Sequence, residues 1–298
     1  MHPFIQRLLT HGPVVTDGAW GTEMQARGLS GSEFPDAWNL SHPERVAEVA
    51  RSYVRAGSRV ILTNTFGANR LRLSHHDLAG QVAEINRSGV EISRQAAAGR
   101  AYVFASIGPS GKLLLSGETT PEELRLAFDE QAQALAAAGA DALVVETMTD
   151  LEEALPAVKA AHATGLPVVA CMVFDSGKDR DRTIMGTTPE QAAQALAEAG
   201  ADVIGANCGV GIAGYVPVCQ RLHAATDRPV WIKANAGLPE LVDGKIVYRT
   251  TPQTFAGYAK ALVAAGASFL GGCCGTNPEF IRALCHELRD ARSTPGGG

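Results

Sequence analysis

The stretch TTPEQAAQALAEAGADVIGANCG, residues 187–209, contains one complete structural unit. It opens with Thr187, Pro189 and Glu190, a hydroxyl, a ring and a carboxylate in the order that starts a helix. Apolar residues at three- and four-residue spacing carry that helix from Pro189 to Ala199. Gly200 ends it, because glycine adopts the left-handed conformation that turns the chain back. Val203 to Cys208 then reads as a short apolar strand that finishes on a polar pair, Asn207-Cys208. Near-continuous apolarity is what a parallel strand covered on both faces requires.

The same unit recurs. Strands are expected at Val14 to Asp17, Val60 to Thr65, Tyr102 to Ile107, Ala142 to Thr147, Pro167 to Phe174, Val203 to Cys208, Val230 to Ala234 and Phe269 to Cys274. Helices are expected at Pro43 to Ala56, Val82 to Ala98, Pro121 to Ala138, Leu151 to Thr164, Pro189 to Ala199, Val216 to Ala225, Pro252 to Ala265 and Pro278 to Arg289. Ala56-Gly57, Ala138-Gly139 and Ala265-Gly266 repeat the ending. Ser41, Thr119, Thr250 and Thr276 each precede a Pro-Glu or Pro-Gln pair by two residues, repeating the start, with the hydroxyl expected to cap the helix. Strand and helix alternating in this way close most naturally into a (β/α)₈ barrel, the TIM fold of the α/β class. An open doubly wound sheet would want a glycine-rich fingerprint after the first strand, and Gly18-Ala19-Trp20-Gly21 is not one. The expectation is one domain over residues 1–292 with a disordered tail, 293–298.

At 298 residues, 46% hydrophobic and 19% charged, the chain can bury a large core. Its net charge of -5 and the absence of a Lys/Arg run exclude a nucleic-acid or membrane-surface footprint. Neither a signal peptide nor an apolar stretch of membrane-spanning length is read, so the expected location is cytoplasmic and the expected partner a small molecule.

In a barrel the strands' carboxyl ends carry the chemistry. Here they present Asp17, Thr63-Asn64-Thr65, Ser106, Glu146-Thr147, Asn207-Cys208, Asn235 and Cys273-Cys274. Cys208 ends strand six and Cys273-Cys274 ends strand eight, so three thiols meet on one rim. Three thiolates with an open fourth position match a catalytic zinc (Zn2+) site, whereas a structural site would recruit a fourth ligand. Such an electron-rich site suits holding a substrate thiol as thiolate better than activating water, which points to thiol alkylation. Two other readings stand beside it: a thiol-disulfide redox pair at Cys273-Cys274, and a Schiff-base lyase built on Lys233.

The runs Asp17-Gly18-Ala19-Trp20-Gly21-Thr22-Glu23, Thr63-Asn64-Thr65-Phe66-Gly67-Ala68-Asn69-Arg70, Gly205-Ala206-Asn207-Cys208, Asn235-Ala236-Gly237-Leu238-Pro239 and Gly271-Gly272-Cys273-Cys274-Gly275-Thr276 resemble those of the homocysteine S-methyltransferase family. That resemblance, over about residues 12 to 290, implies a zinc-bound homocysteine thiolate that accepts a methyl group. It implies Cys208, Cys273 and Cys274 as metal ligands, Asp17 and Glu146 for the substrate amino group, backbone amides near Gly21 and Thr22 for its carboxylate, and Asn235 near the metal in the substrate-free state. Trp20, Trp38 and Phe66 are the aromatic candidates for the donor side, where a quaternary ammonium donor would want a cage. Two aromatic positions of animal-type betaine enzymes are Thr147 and Gly67 in this chain. The expected donor is a small onium compound of the glycine betaine or S-methylmethionine type, with a separate methyl-corrinoid protein as the alternative.

Overall fold

The computed structural model describes residues 1–112, 114–242 and 245–293. The expected tail lies, beyond Ser293, outside the described residues.

Eight parallel strands form one sheet: β1 Val14–Val15, β2 Val60–Ile61, β3 Tyr102–Ile107, β4 Ala142–Met148, β5 Val168–Met172, β6 Val203–Gly211, β7 Val230–Asn235 and β8 Ala267–Gly272. Each pairs with its successor from β2 onward, and β8 pairs with β1. Between β1 and β2 the seam is bridged where the Arg59 N–H donates to Val15 O at 2.8 Å. The result is a nearly closed (β/α)₈ barrel in a single α/β domain, with each strand but the first two longer than three residues.

β1 and β2 are shorter than the apolar runs predict, for a reason tied to the rim. Past Val15 the main chain still pairs with β8, where the Thr16 N–H donates to Leu270 O and the Gly272 N–H to Asp17 O, but towards β2 and β3 side chains enter the ladder: the Leu62 N–H donates to Asp17 Oδ2 at 2.7 Å, and the Ser106 N–H donates to Thr63 Oγ1 at 3.1 Å. Polar side chains at these strand ends satisfy backbone groups that a neighbouring strand would otherwise satisfy.

Alternation along the strands layers the barrel interior. On β7, Val230, Ile232 and Ala234 face the helices, while Trp231 packs inside against Phe104 and Phe269 at centroid distances of 6.1 and 5.1 Å. Ile5 and Leu8 of the helix Pro3–Leu9 belong to the same inner cluster. Two residues further along β7 stands Lys233, and two beyond that Asn235, so the interior changes from apolar to polar towards the strands' carboxyl ends. Gly205 on β6 is required here, since a Cβ would meet the Trp231 carbonyl oxygen at 2.0 Å.

The helices fall where expected, except that Pro252 to Ala265 is divided at Gly257-Tyr258 into Pro252–Ala256 and Ala259–Ala264, and the caps shift in register. Thr120 and Thr188, not Thr119 and Thr187, cap their helices, in full capping boxes with Glu123 and Gln191; Thr251, not Thr250, caps Pro252–Ala256 by accepting from the Thr254 N–H alone. His42 precedes Pro43–Ala56 without a side-chain cap, and the last helix, Pro278–Ser293, has its Glu279 N–H donating to Asn277 Oδ1 at 2.9 Å. Thr276 is engaged elsewhere: its Oγ1 accepts from the Ala19 N–H and donates to Cys273 O. A hairpin, Glu240–Val242 with Lys245–Val247, follows β7 and has no counterpart in the sequence expectation. Among the described residues no helix is long and apolar enough to cross a membrane.

Candidate active site

The fold brings the sulfur atoms of Cys208, Cys273 and Cys274 to within 4.8 Å of one another. Simple alternation would not do this, because Cys208 shares the outward parity of Ile204 and Ala206. The chain breaks alternation there: Cys208 has φ +63, and the β6–β7 register shifts between Cys208 and Gly211. A left-handed non-glycine residue costs on the order of 1–3 kcal/mol, strain that packing elsewhere must hold.

Thr147, at the end of β4, has φ +62 and is held by a side-chain clamp. Asn207 Oδ1 accepts from the Thr147 N–H at 2.8 Å, and its Nδ2 donates to Thr147 Oγ1 at 2.7 Å. Glycines beside the cysteine pair serve close packing more than turning. A Cβ on Gly271 would lie 2.0 Å from Thr16 Oγ1 and one on Gly272 2.3 Å from Thr276 Oγ1; only Gly275, at φ +79, needs the left-handed region.

The trio is electrostatically coupled. Hydrogen bonds from Cys273 and Cys274 pull the Cys208 thiol down to about 3, and the same bonds push Cys273 well up and Cys274 up to about 11. Asn235 Nδ2 adds a donor 3.7 Å from the Cys208 sulfur, and the buried Asn235 Oδ1 has no hydrogen-bond partner among the described residues. Three soft sulfurs within 4.8 Å of one another, with a buried amide oxygen alongside, make a set that could hold a metal ion.

Beneath the trio lie two carboxylates and a lysine. Ser106 Oγ donates to Glu146 Oε1 at 2.5 Å, while burial raises the Glu146 pKa against the pull of Lys233 and that bond. Lys233 Nζ lies 2.5 Å from Asp17 Oδ1. Burial disfavours the ammonium, but Asp17 and Glu146 together hold its pKa above the ordinary lysine value. Asp17 Oδ2 also accepts from Trp20 Nε1 at 2.8 Å and from the Leu62 N–H. Lys233, the Schiff-base candidate of the sequence, is thus a buried ion-pair partner of Asp17.

Cys208, Cys273, Cys274, Thr147, Ser106, Glu146 and Lys233 line one cavity of about 630 Å³, with Gly21, Thr22, Trp20 and Phe66, while Asp17, Asn207 and Asn235 do not. Trp38 does not reach it: its indole N–H donates to Glu33 Oε1 at 2.9 Å and its ring lies against His42. The far side is walled by residues the sequence reading did not single out, Phe34, Asp36, Arg72, Ile246 and Tyr248. The last two sit on the hairpin and just after it. No periodicity signals them, since a short hairpin between a strand and a helix carries no pattern of its own.

The sequence pattern of the family described as "Homocysteine S-methyltransferase" matches residues 14–288. The chain is 32% identical over 304 residues to a methionine synthase of Mycobacterium tuberculosis, covering 96% of this chain and 25% of that protein. It is 30% identical to betaine--homocysteine S-methyltransferase 1 of Danio rerio, covering 97% of this chain and 76% of the relative. The chain therefore spans about a quarter of the mycobacterial protein. Among solved structures, the metallated form of the homocysteine methyltransferase MmuM from Escherichia coli superposes with a TM-score of 0.79 at 25% identity, covering 97% of this chain and 100% of that one. Fold, rim thiols and sequence pattern agree, and the chain belongs to the homocysteine S-methyltransferase family.

Proposed function

We propose that the protein is a zinc-dependent enzyme that forms methionine from homocysteine and a small onium methyl donor. The observation that carries this reading is the thiol trio of Cys208, Cys273 and Cys274 set in the wall of a cavity that also holds Glu146 and Lys233. A zinc ion on the three thiolates would offer its open position to the homocysteine sulfur and keep that sulfur ionised near neutral pH.

The chain's own residues do the rest. Glu146, with Asp17 behind it, receives the substrate ammonium, and the backbone amides of Gly21 and Thr22 receive its carboxylate. Asp17 already accepts from Lys233, Trp20 and Leu62, so the direct contact falls on Glu146 and Asp17 fixes the geometry around it. Asn235 occupies the sulfur's neighbourhood when no substrate is there. Held in line, the sulfur forms a bond to the donor methyl carbon while the carbon's bond to nitrogen or sulfonium sulfur breaks, leaving its electron pair on a neutral amine or sulfide. Trp20 and Phe66 are the aromatic faces available to the onium charge.

A second reading keeps the acceptor half and takes the methyl group from a corrinoid protein. Its support is the likeness to methionine synthase and the absence of aromatic side chains at Thr147 and Gly67. A donor panel separates the two: purified protein with homocysteine and, singly, glycine betaine, dimethylsulfoniopropionate, S-methylmethionine, S-adenosylmethionine or methylcobalamin, scored by methionine formed. Turnover with an onium carboxylate supports the first reading; turnover with methylcobalamin alone overturns it.

A further inference from the structure

The 630 Å³ cavity is several times what an amino acid the size of homocysteine fills, and its wall contains a guanidinium that makes no ion pair among the described residues. Two arginines sit on the helix Arg70–Ser74. Arg70 is spent in an ion pair with Glu130. Arg72 lines the cavity and, among the described residues, makes no ion pair; its guanidinium carbon stands 5.7 Å from the centre of the Phe66 ring. Two acids that feel its charge each hold a backbone amide: Asp36 Oδ1 accepts from the Gly67 N–H at 2.9 Å, and Glu153 Oε1 from the Ser110 N–H at 2.6 Å.

The local chain is built to place this guanidinium. Asn69 caps the helix by accepting from the Arg72 N–H at 2.9 Å. Gly67 leaves the space through which the side chain runs, since a Cβ there would lie 3.1 Å from Arg72 Cδ and 2.7 Å from Phe34 Cζ. The Arg72 side chain uses that room, with its guanidinium over the Phe66 ring.

We propose that Arg72 anchors the carboxylate of the methyl donor, so that the donor class is an onium compound bearing a carboxylate. A guanidinium offers planar paired donors to a carboxylate, and the Phe66 ring 5.7 Å away favours its charge at this place. A donor gripped there at one end and by the aromatic face of Trp20 at the other spans the half of the cavity that homocysteine leaves. This inference rests on the onium-donor reading of the site and narrows it.

The test compares wild type, Arg72→Met and Arg72→Lys with two probes that differ in the carboxylate, dimethylsulfoniopropionate and trimethylsulfonium. The preference for the carboxylate-bearing probe, as a ratio of kcat/KM values, should fall about tenfold or more in Arg72→Met and less in Arg72→Lys, through donor KM and not homocysteine KM. Calorimetric binding of dimethylglycine should weaken in parallel, a readout independent of turnover. An unchanged preference in variants that still use both probes overturns the role of Arg72 and leaves the onium reading standing. Wild type that uses neither probe and only methylcobalamin overturns both.

Discussion

Lys233 Nζ lies 2.5 Å from Asp17 Oδ1, with both side chains inside the barrel and no more than 3% exposed. The pair joins β7 to the rim beyond β1 and, through Asp17 Oδ2, to Leu62 and Trp20. Removing one partner of a buried pair leaves the other charge uncompensated, which costs roughly 3–5 kcal/mol. Lys233→Met should therefore lower unfolding free energy by about that amount in urea titrations. A loss below about 1 kcal/mol would mean that water reaches Asp17.

Glu146→Gln keeps the acceptor for Ser106 Oγ and removes the charge. Homocysteine KM should rise about tenfold or more, while an analogue lacking the amino group, 4-mercaptobutyrate, is affected far less. Equal effects on both acceptors would remove Glu146 from ammonium recognition.

Burial pushes the Asp36 carboxyl up from 3.8 to about 7, against the Gly67 N–H and Arg72. A folded-state pKa above the unfolded one means the folded chain holds the proton more tightly. Stability from this group is therefore present at low pH, falls as pH rises between the two values, and stays lost above the higher one. Asp36→Asn retains an acceptor for Gly67 and abolishes the titration. From about pH 5 to about pH 8 the variant should gain roughly 1–3 kcal/mol over wild type, read from urea denaturation at each pH. A pH-independent difference would show that Asp36 is ionised throughout.

Gly67→Ala places a Cβ against Phe34 and Arg72. Donor KM for dimethylsulfoniopropionate should rise about threefold or more with homocysteine KM unaffected. If donor KM holds, Arg72 does not use the room that Gly67 provides.

Much of this architecture is legible without coordinates because it rests on local rules. Apolar runs such as Val203 to Cys208, helix-ending glycines and Pro-Glu starts each report the same repeat, and the repeat puts the three rim thiols on strands six and eight. Cap register at Thr120 and Thr188 escaped by one residue, since Thr-Thr-Pro offers two hydroxyls and only backbone geometry selects between them. The Lys233–Asp17 pair and the Asn207–Thr147 clamp join residues 216 and 60 positions apart, and no periodicity encodes a pairing across the barrel. Trp38 was drawn to the donor side by its chemistry, but an indole N–H needs a partner when buried, and Glu33 supplies it away from the cavity.

The central claim is that Cys208, Cys273 and Cys274 hold one metal ion whose remaining position receives the homocysteine sulfur. X-ray absorption at the zinc edge of the purified protein, with and without homocysteine, tests it most directly. We predict three sulfur neighbours and one nitrogen or oxygen neighbour in the free protein, becoming four sulfurs when homocysteine binds. Fewer than three sulfurs, or a shell that homocysteine leaves unchanged, would contradict it.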